Sequence, residues 1–74
     1  MGRNTYQTCK AIIEDLLNNP EIKISKEVLW SELKPAIEKN GGEHYLTLKK
    51  YMDALVKHKF LEKIGEGVYR INDM

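Results

Sequence analysis

The residues of this chain best able to do chemistry are lysines, and no nucleophile or acid–base pair accompanies them. Lys49, Lys50 and Lys57 fall on one side of a helical stretch, and Lys63 and Arg70 follow in two short β-prone runs. Cationic groups gathered on one face suit an anionic partner even where the whole molecule is nearly neutral. Other chemistries lack their residues. Cys9 is the single cysteine, so no internal disulfide can form. His44 and His58 are far apart in the sequence, with no Cys or Asp at metal-ligand spacing, which argues against zinc. No Gly-rich phosphate loop, nucleophile motif or paired inward carboxylates occurs, so neither an enzyme nor a cofactor is expected, and no small-molecule ligand is evident.

Charge is unevenly placed. Residues 1–48 hold six Lys/Arg against seven Asp/Glu, whereas residues 49–74 hold six against four, within a net charge of +1. The basic excess therefore sits in the C-terminal third, and a small domain can bind a nucleic acid through one basic face while nearly neutral as a whole. At 74 residues, 42% hydrophobic and 31% charged, the chain reads as one globular domain over 1–74, with 1–5 frayed. No apolar run approaches membrane-spanning length, and no signal-peptide core opens the chain. Tyr6 stands where an N-myristoylation signal expects Ser or Thr. A soluble, cytoplasmic protein without a membrane partner is the expectation.

Apolar periodicity supplies the elements that must position the lysines. Cys9, Ile12, Ile13, Leu16 and Leu17 form an amphipathic stripe, predicting a first helix over about 6–18 with Thr5 as cap and Asn18-Asn19-Pro20 as stop. Glu21-Ile22-Lys23-Ile24 alternates and suits a short strand. A second helix then starts at Lys26, capped by Ser25, with Leu29, Leu33, Ala36 and Ile37 on its apolar face and Trp30 beside it. Pro35 either ends that helix near Lys34 or kinks it, and Asn40-Gly41-Gly42 closes the unit. Leu48, Tyr51, Met52, Leu55 and Val56 repeat the stripe in a third helix, about 44–58. Phe60 to Ile64 and Val68 to Ile71, joined by Gly65-Glu66-Gly67, read as a hairpin pairing Ile64 with Val68, Glu62 with Arg70, and Leu61 with Ile71. Leu16, Leu33, Leu48, Leu55, Phe60 and Ile71 are the expected core.

Two stretches in this order carry a likeness: Thr47-Leu48-Lys49-Lys50-Tyr51-Met52-Asp53-Ala54-Leu55, then Lys59-Phe60-Leu61-Glu62-Lys63-Ile64-Gly65-Glu66-Gly67-Val68-Tyr69-Arg70-Ile71. From roughly Ile12 to Ile71 the chain resembles the winged helix-turn-helix family of small prokaryotic, archaeal and viral regulators. The resemblance implies an α+β fold of three helices and a C-terminal β-hairpin wing, with Ile22–Ile24 offering a third strand. It also implies sequence-specific binding of double-stranded DNA and transcriptional regulation. A homodimer on a two-fold site is expected from the module's small size and from the five-residue apolar stripe of the first helix, which could cover both the core and a partner. The same fold serves elsewhere as a protein–protein module, and a replication or partition protein would bind DNA without regulating transcription. Lys59 departs from the family's usual Gly and must take a positive φ or form another turn. Glu66 at the wing tip would repel a phosphate.

The resemblance places the third helix in the major groove, so that Lys49, Lys50 and Lys57 contact phosphates or base edges, with His44, Tyr45 and Thr47 at the end that reaches the bases. Lys63 and Arg70 would grip the backbone from the wing. Plainer roles stand beside these. The lysines could form a solvated helix face, Thr47 could cap the helix, Tyr45 could pack on the core, and Glu62 could occupy Arg70. Arg3 and Asn4 are either a minor-groove arm or a frayed end. Trp30 and Tyr51 read as core residues, and Cys9 as a buried thiol.

Overall fold

The computed structural model describes residues 4–72. Among them are four helices and a three-stranded antiparallel sheet: α1 Thr5–Leu17, α2 Pro20–Ser25, β1 Glu27–Leu29, α3 Trp30–Lys39, α4 Tyr45–Lys57, β2 Leu61–Gly65 and β3 Val68–Ile71. This is a small α+β architecture, compatible with a winged arrangement.

Helix α1 forms where its periodicity places it, but Asn4 caps it instead of Thr5. The Asn4 side chain accepts from the Gln7 N–H at 2.8 Å, and the Gln7 side chain accepts from the Asn4 N–H at 3.1 Å. This reciprocal capping box satisfies two otherwise orphaned donors and ties Asn4 to the first turn of the helix. Arg3 lies outside the described residues.

The segment expected to be a strand at 21–24 is helical. Asn19-Pro20 ends one helix and also starts the next: Asn19 accepts from the Glu21 N–H at 2.9 Å, and Pro20 takes a first-turn position where its missing N–H is not needed. Only Ile22 of α2 is buried. Lys26 then adopts a left-handed conformation (φ 62°) and stops the helix. It therefore begins no helix, and the Ser25 hydroxyl accepts from the Glu27 N–H at 3.1 Å at the start of a strand. Strand β1 runs where the second helix was expected to begin, which leaves Leu29 half exposed instead of on an apolar helix face. Helix α3 starts at Trp30, whose N–H donates to the Gly67 carbonyl at 2.8 Å, while Glu32 accepts from the Leu29 N–H at 3.0 Å. It continues through Pro35 to Lys39.

Strand order is β1-β3-β2. Leu61 pairs with Ile71 and Glu62 with Arg70 as the alternation predicts, but Gly65, not Ile64, faces Val68. Ile64 is the extra residue of a bulge, and Gly67 turns the chain at φ 68°. On the other edge of β3, Glu27 faces Arg70 and Val28 faces Tyr69.

The core is closed by Cys9, Ile12, Ile13 and Leu16 from α1, Leu33 and Ile37 from α3, Ala54 and Leu55 from α4, and Ile22, Val28, Phe60, Leu61 and Ile71. Of the expected core, Leu48 is only partly buried. The stripe of α4 is rotated from expectation: Ala54 is buried and Val56 is exposed. Helix α4 packs against α1, α3 and β2. Asn40 ties α3 to α1, donating to Asp15 at 2.7 Å beside the Ala36 carbonyl at 2.8 Å.

Candidate nucleic-acid interface

Helix α4 begins at His44, whose Nδ1 accepts from the Leu46 N–H at 3.2 Å. His44 is thus the cap, and Thr47, half-buried in the first turn, is not. With Nδ1 engaged, the imidazole has Nε2 available for an outward contact. Tyr45 and Leu46 follow, both largely exposed, and then the exposed Lys49, Lys50, Asp53 and Lys57. Tyr45 does not pack into the core.

Helical geometry, at about 100° per residue, spreads these side chains over two flanks. Tyr45, Lys49 and Val56 lie toward the hairpin. Leu46, Lys50 and Lys57 lie on the other flank, with Asp53 between the two sets. Asp53 is therefore within one turn of all three lysines, and the face is basic with an acidic centre.

The hairpin flank borders a groove of about 440 Å³. Tyr45 and Lys49 of α4 line it, opposite Lys63 and Glu66 of the hairpin, and Trp30, Leu48, Met52 and Tyr69 supply apolar walls. Lys63 reaches it because it pairs with Tyr69 on the sheet face that also carries the buried Val28, Leu61 and Ile71. Glu66 lines the same groove as Lys49 and Lys63.

Arg70 is elsewhere. As the central-strand partner of both Glu27 and Glu62, it lies on the opposite face of the sheet, away from α4. No ion pair within 4.0 Å joins it to either glutamate; the single ion pair among the described residues is Lys39–Asp15. The structure thus brings together Tyr45, Lys49 and Lys63. It keeps His44, Lys50 and Lys57 on the same helix outside the groove, and it separates Arg70 from all of them.

Trp30, Met52 and Tyr69 were not expected at this surface. Trp30 is half-buried as well as groove-lining, so its size alone pointed inward. Leu46 did carry a signal, because it falls off the 48/51/52/55 stripe on the side of the lysines. Among the described residues no group of three metal-ligating side chains converges, and no helix is long and apolar enough to cross a membrane. Comparison with protein-family models gave no match, and comparison with curated proteins gave none.

Proposed function

We propose that the chain is a winged helix-turn-helix domain that binds double-stranded DNA sequence-specifically and regulates transcription, with α3 and α4 as the helix pair, α4 in the major groove and the β2–β3 hairpin as the wing. The observation that supports this best is the division of α4 into two faces. Leu55, fully buried, and Ala54 anchor one face in the core, while Lys49, Lys50 and Lys57 project from the other into solvent. A helix held rigidly with its lysines outward can enter a groove about 12 Å wide without unfolding anything. Lys63 extends the basic surface across to the hairpin. Tyr45, His44 and Thr47 occupy the end of the helix that reaches bases in this mode.

A homodimer on a two-fold site would add affinity and specificity to a module this small. Its interface would not be the α1 stripe, because Cys9, Ile12, Ile13 and Leu16 are consumed by the chain's own core. Sedimentation at micromolar concentration, with and without duplex DNA, is expected to show a dimer at least on DNA; a monomer in both conditions removes the two-fold site.

The deciding experiment compares Lys49→Ala, Lys50→Ala and the double variant with the parent on duplex DNA at several salt concentrations. Each lost phosphate contact should flatten the slope of log affinity against log salt by about one unit. A lost base contact should instead weaken the preferred site by roughly 1–3 kcal/mol and relax preference at one base pair. A double variant that binds as tightly as the parent, with unchanged slope, removes α4 as the reader. A protein-interaction module then becomes the better reading. Leu29 and Ile64, both about half exposed at the sheet, favour it, since they leave apolar surface open to a partner.

A further inference from the structure

We infer that Leu46 reads the C5-methyl group of a pyrimidine, in thymine or in 5-methylcytosine, from the major groove. The inference rests on the DNA-binding reading above and names one element of its specificity. Leu46 is 67% exposed although α4 has a complete buried face without it. Around the helix axis it lies between the two lysines of the next turn, about 60° from Lys49 and about 40° from Lys50.

Charge complementarity identifies what covers this side chain. Three lysines against one aspartate line the exposed face of α4, so the surface that docks here is anionic. Two amines bracketing Leu46 would set its side chain down beside the phosphate backbone and over the base edges. A leucine offers no donor or acceptor. Pressed against a base edge that carries only polar groups, it would strip water from those groups and return no hydrogen bond. The one alkyl group that the major groove presents is the methyl at pyrimidine C5, carried by thymine among the unmodified bases. Leu46 therefore favours that methyl and disfavours the same position without it.

The test starts from a site enriched by the parent protein from random duplex DNA. Each thymine of the site is replaced in turn by uracil, which removes the methyl and leaves every hydrogen-bonding group in place. At the position that responds, duplexes carrying T, U, 5-methylcytosine and cytosine, each with its complementary base, are compared. One position should lose about fourfold in affinity on the T-to-U change, the worth of one buried methyl, and 5-methylcytosine should bind more tightly than cytosine by a similar factor. The tighter of the two methylated duplexes identifies the natural source of the group. Leu46→Ala should bind T and U duplexes equally while melting like the parent, as befits an exposed position. Equal binding of T and U by the parent at every position overturns the inference, as does a Leu46→Ala protein that keeps the preference; in both cases DNA binding itself survives. Failure to enrich any duplex, with no salt-dependent binding, overturns the DNA reading and this inference with it.

Discussion

The Phe60 N–H donates to the Leu55 carbonyl at 2.9 Å, closing the end of α4 over Lys59, which holds a φ of 63°. Lys59 in turn donates to the Val56 carbonyl at 3.0 Å, so the two bonds form the paired helix-ending motif that normally has Gly at the left-handed position. Leu55 and Phe60 are both buried, and this short span fixes how β2 leaves the helix. A left-handed lysine is strained by roughly 1–2 kcal/mol, which glycine relieves at some cost in unfolded-state entropy. Lys59→Gly should therefore stabilise the fold by about 0.5–1 kcal/mol, read as a rise of several degrees in thermal midpoint. Leu55→Ala should act in the opposite sense, destabilising by about 2–5 kcal/mol. A Lys59→Gly protein that melts lower than the parent would contradict the turn described here.

Gly42 ends α3 in the same motif, its N–H donating to the Ile37 carbonyl at 2.9 Å. A Cβ there would collide with the Cγ2 of Ile37, come within 3.0 Å of the Ile37 carbonyl and press on the Tyr51 ring. Ile37 is fully buried and cannot yield freely. Gly42→Ala should destabilise by about 1–3 kcal/mol, whereas Gly41→Ala meets no atom and suffers only from its φ of 104°. Denaturant midpoints of the two variants separate collision from backbone strain.

Cys9 is fully buried in the core, and burial raises its thiol pKa above the ordinary 9.0. Below about pH 8 the thiol is essentially neutral in folded and unfolded chains alike, and its burial contributes fully to stability. As pH rises past that value the unfolded chain ionises first, so this contribution falls until the folded thiol titrates as well. Between about pH 8 and pH 10, the urea midpoint of the parent should therefore fall further than that of Cys9→Ala. An equal fall in both proteins would mean that the thiol is not linked to folding. Alkylation of Cys9 at pH 8 should likewise be slow in the folded protein and accelerate with urea in parallel with unfolding.

Much of this arrangement is legible from local pattern. The stripes of α1 and α4 repeat often enough to place both helices, and Glu62 opposite Arg70 fixes most of the hairpin. Misreadings arise where one residue serves two neighbours or where pairing is remote. Asn19-Pro20 reads as a stop, yet the same residues cap and open α2. Strand β1 is only three residues long and is defined by its contact with β3 some forty positions later, so no local alternation announces it. The site divides similarly: the outward lysines of α4 follow from helical period. Whether Lys63 or Arg70 shares their face depends on sheet register, and the bulge at Ile64 and the central place of β3 set that register.

Lys63 and Arg70 therefore make opposite predictions, although both are exposed cations on the hairpin. Lys63 lines the groove beside Lys49, whereas Arg70 lies on the far face between Glu27 and Glu62. If α4 sits in the duplex, Lys63→Ala removes a cation from the docked side and should flatten the salt slope by about 0.9 units if it contacts a phosphate. Arg70→Ala should leave slope and affinity unchanged. Neither substitution should unfold the domain, since exposed ion pairs are worth at most about 1 kcal/mol and cross-strand opposite charges a similar amount. The reverse result, with Arg70 essential and Lys63 silent, would move the duplex to the outer face of the sheet, where Leu29 and Val68 flank Arg70, and would take α4 out of the groove.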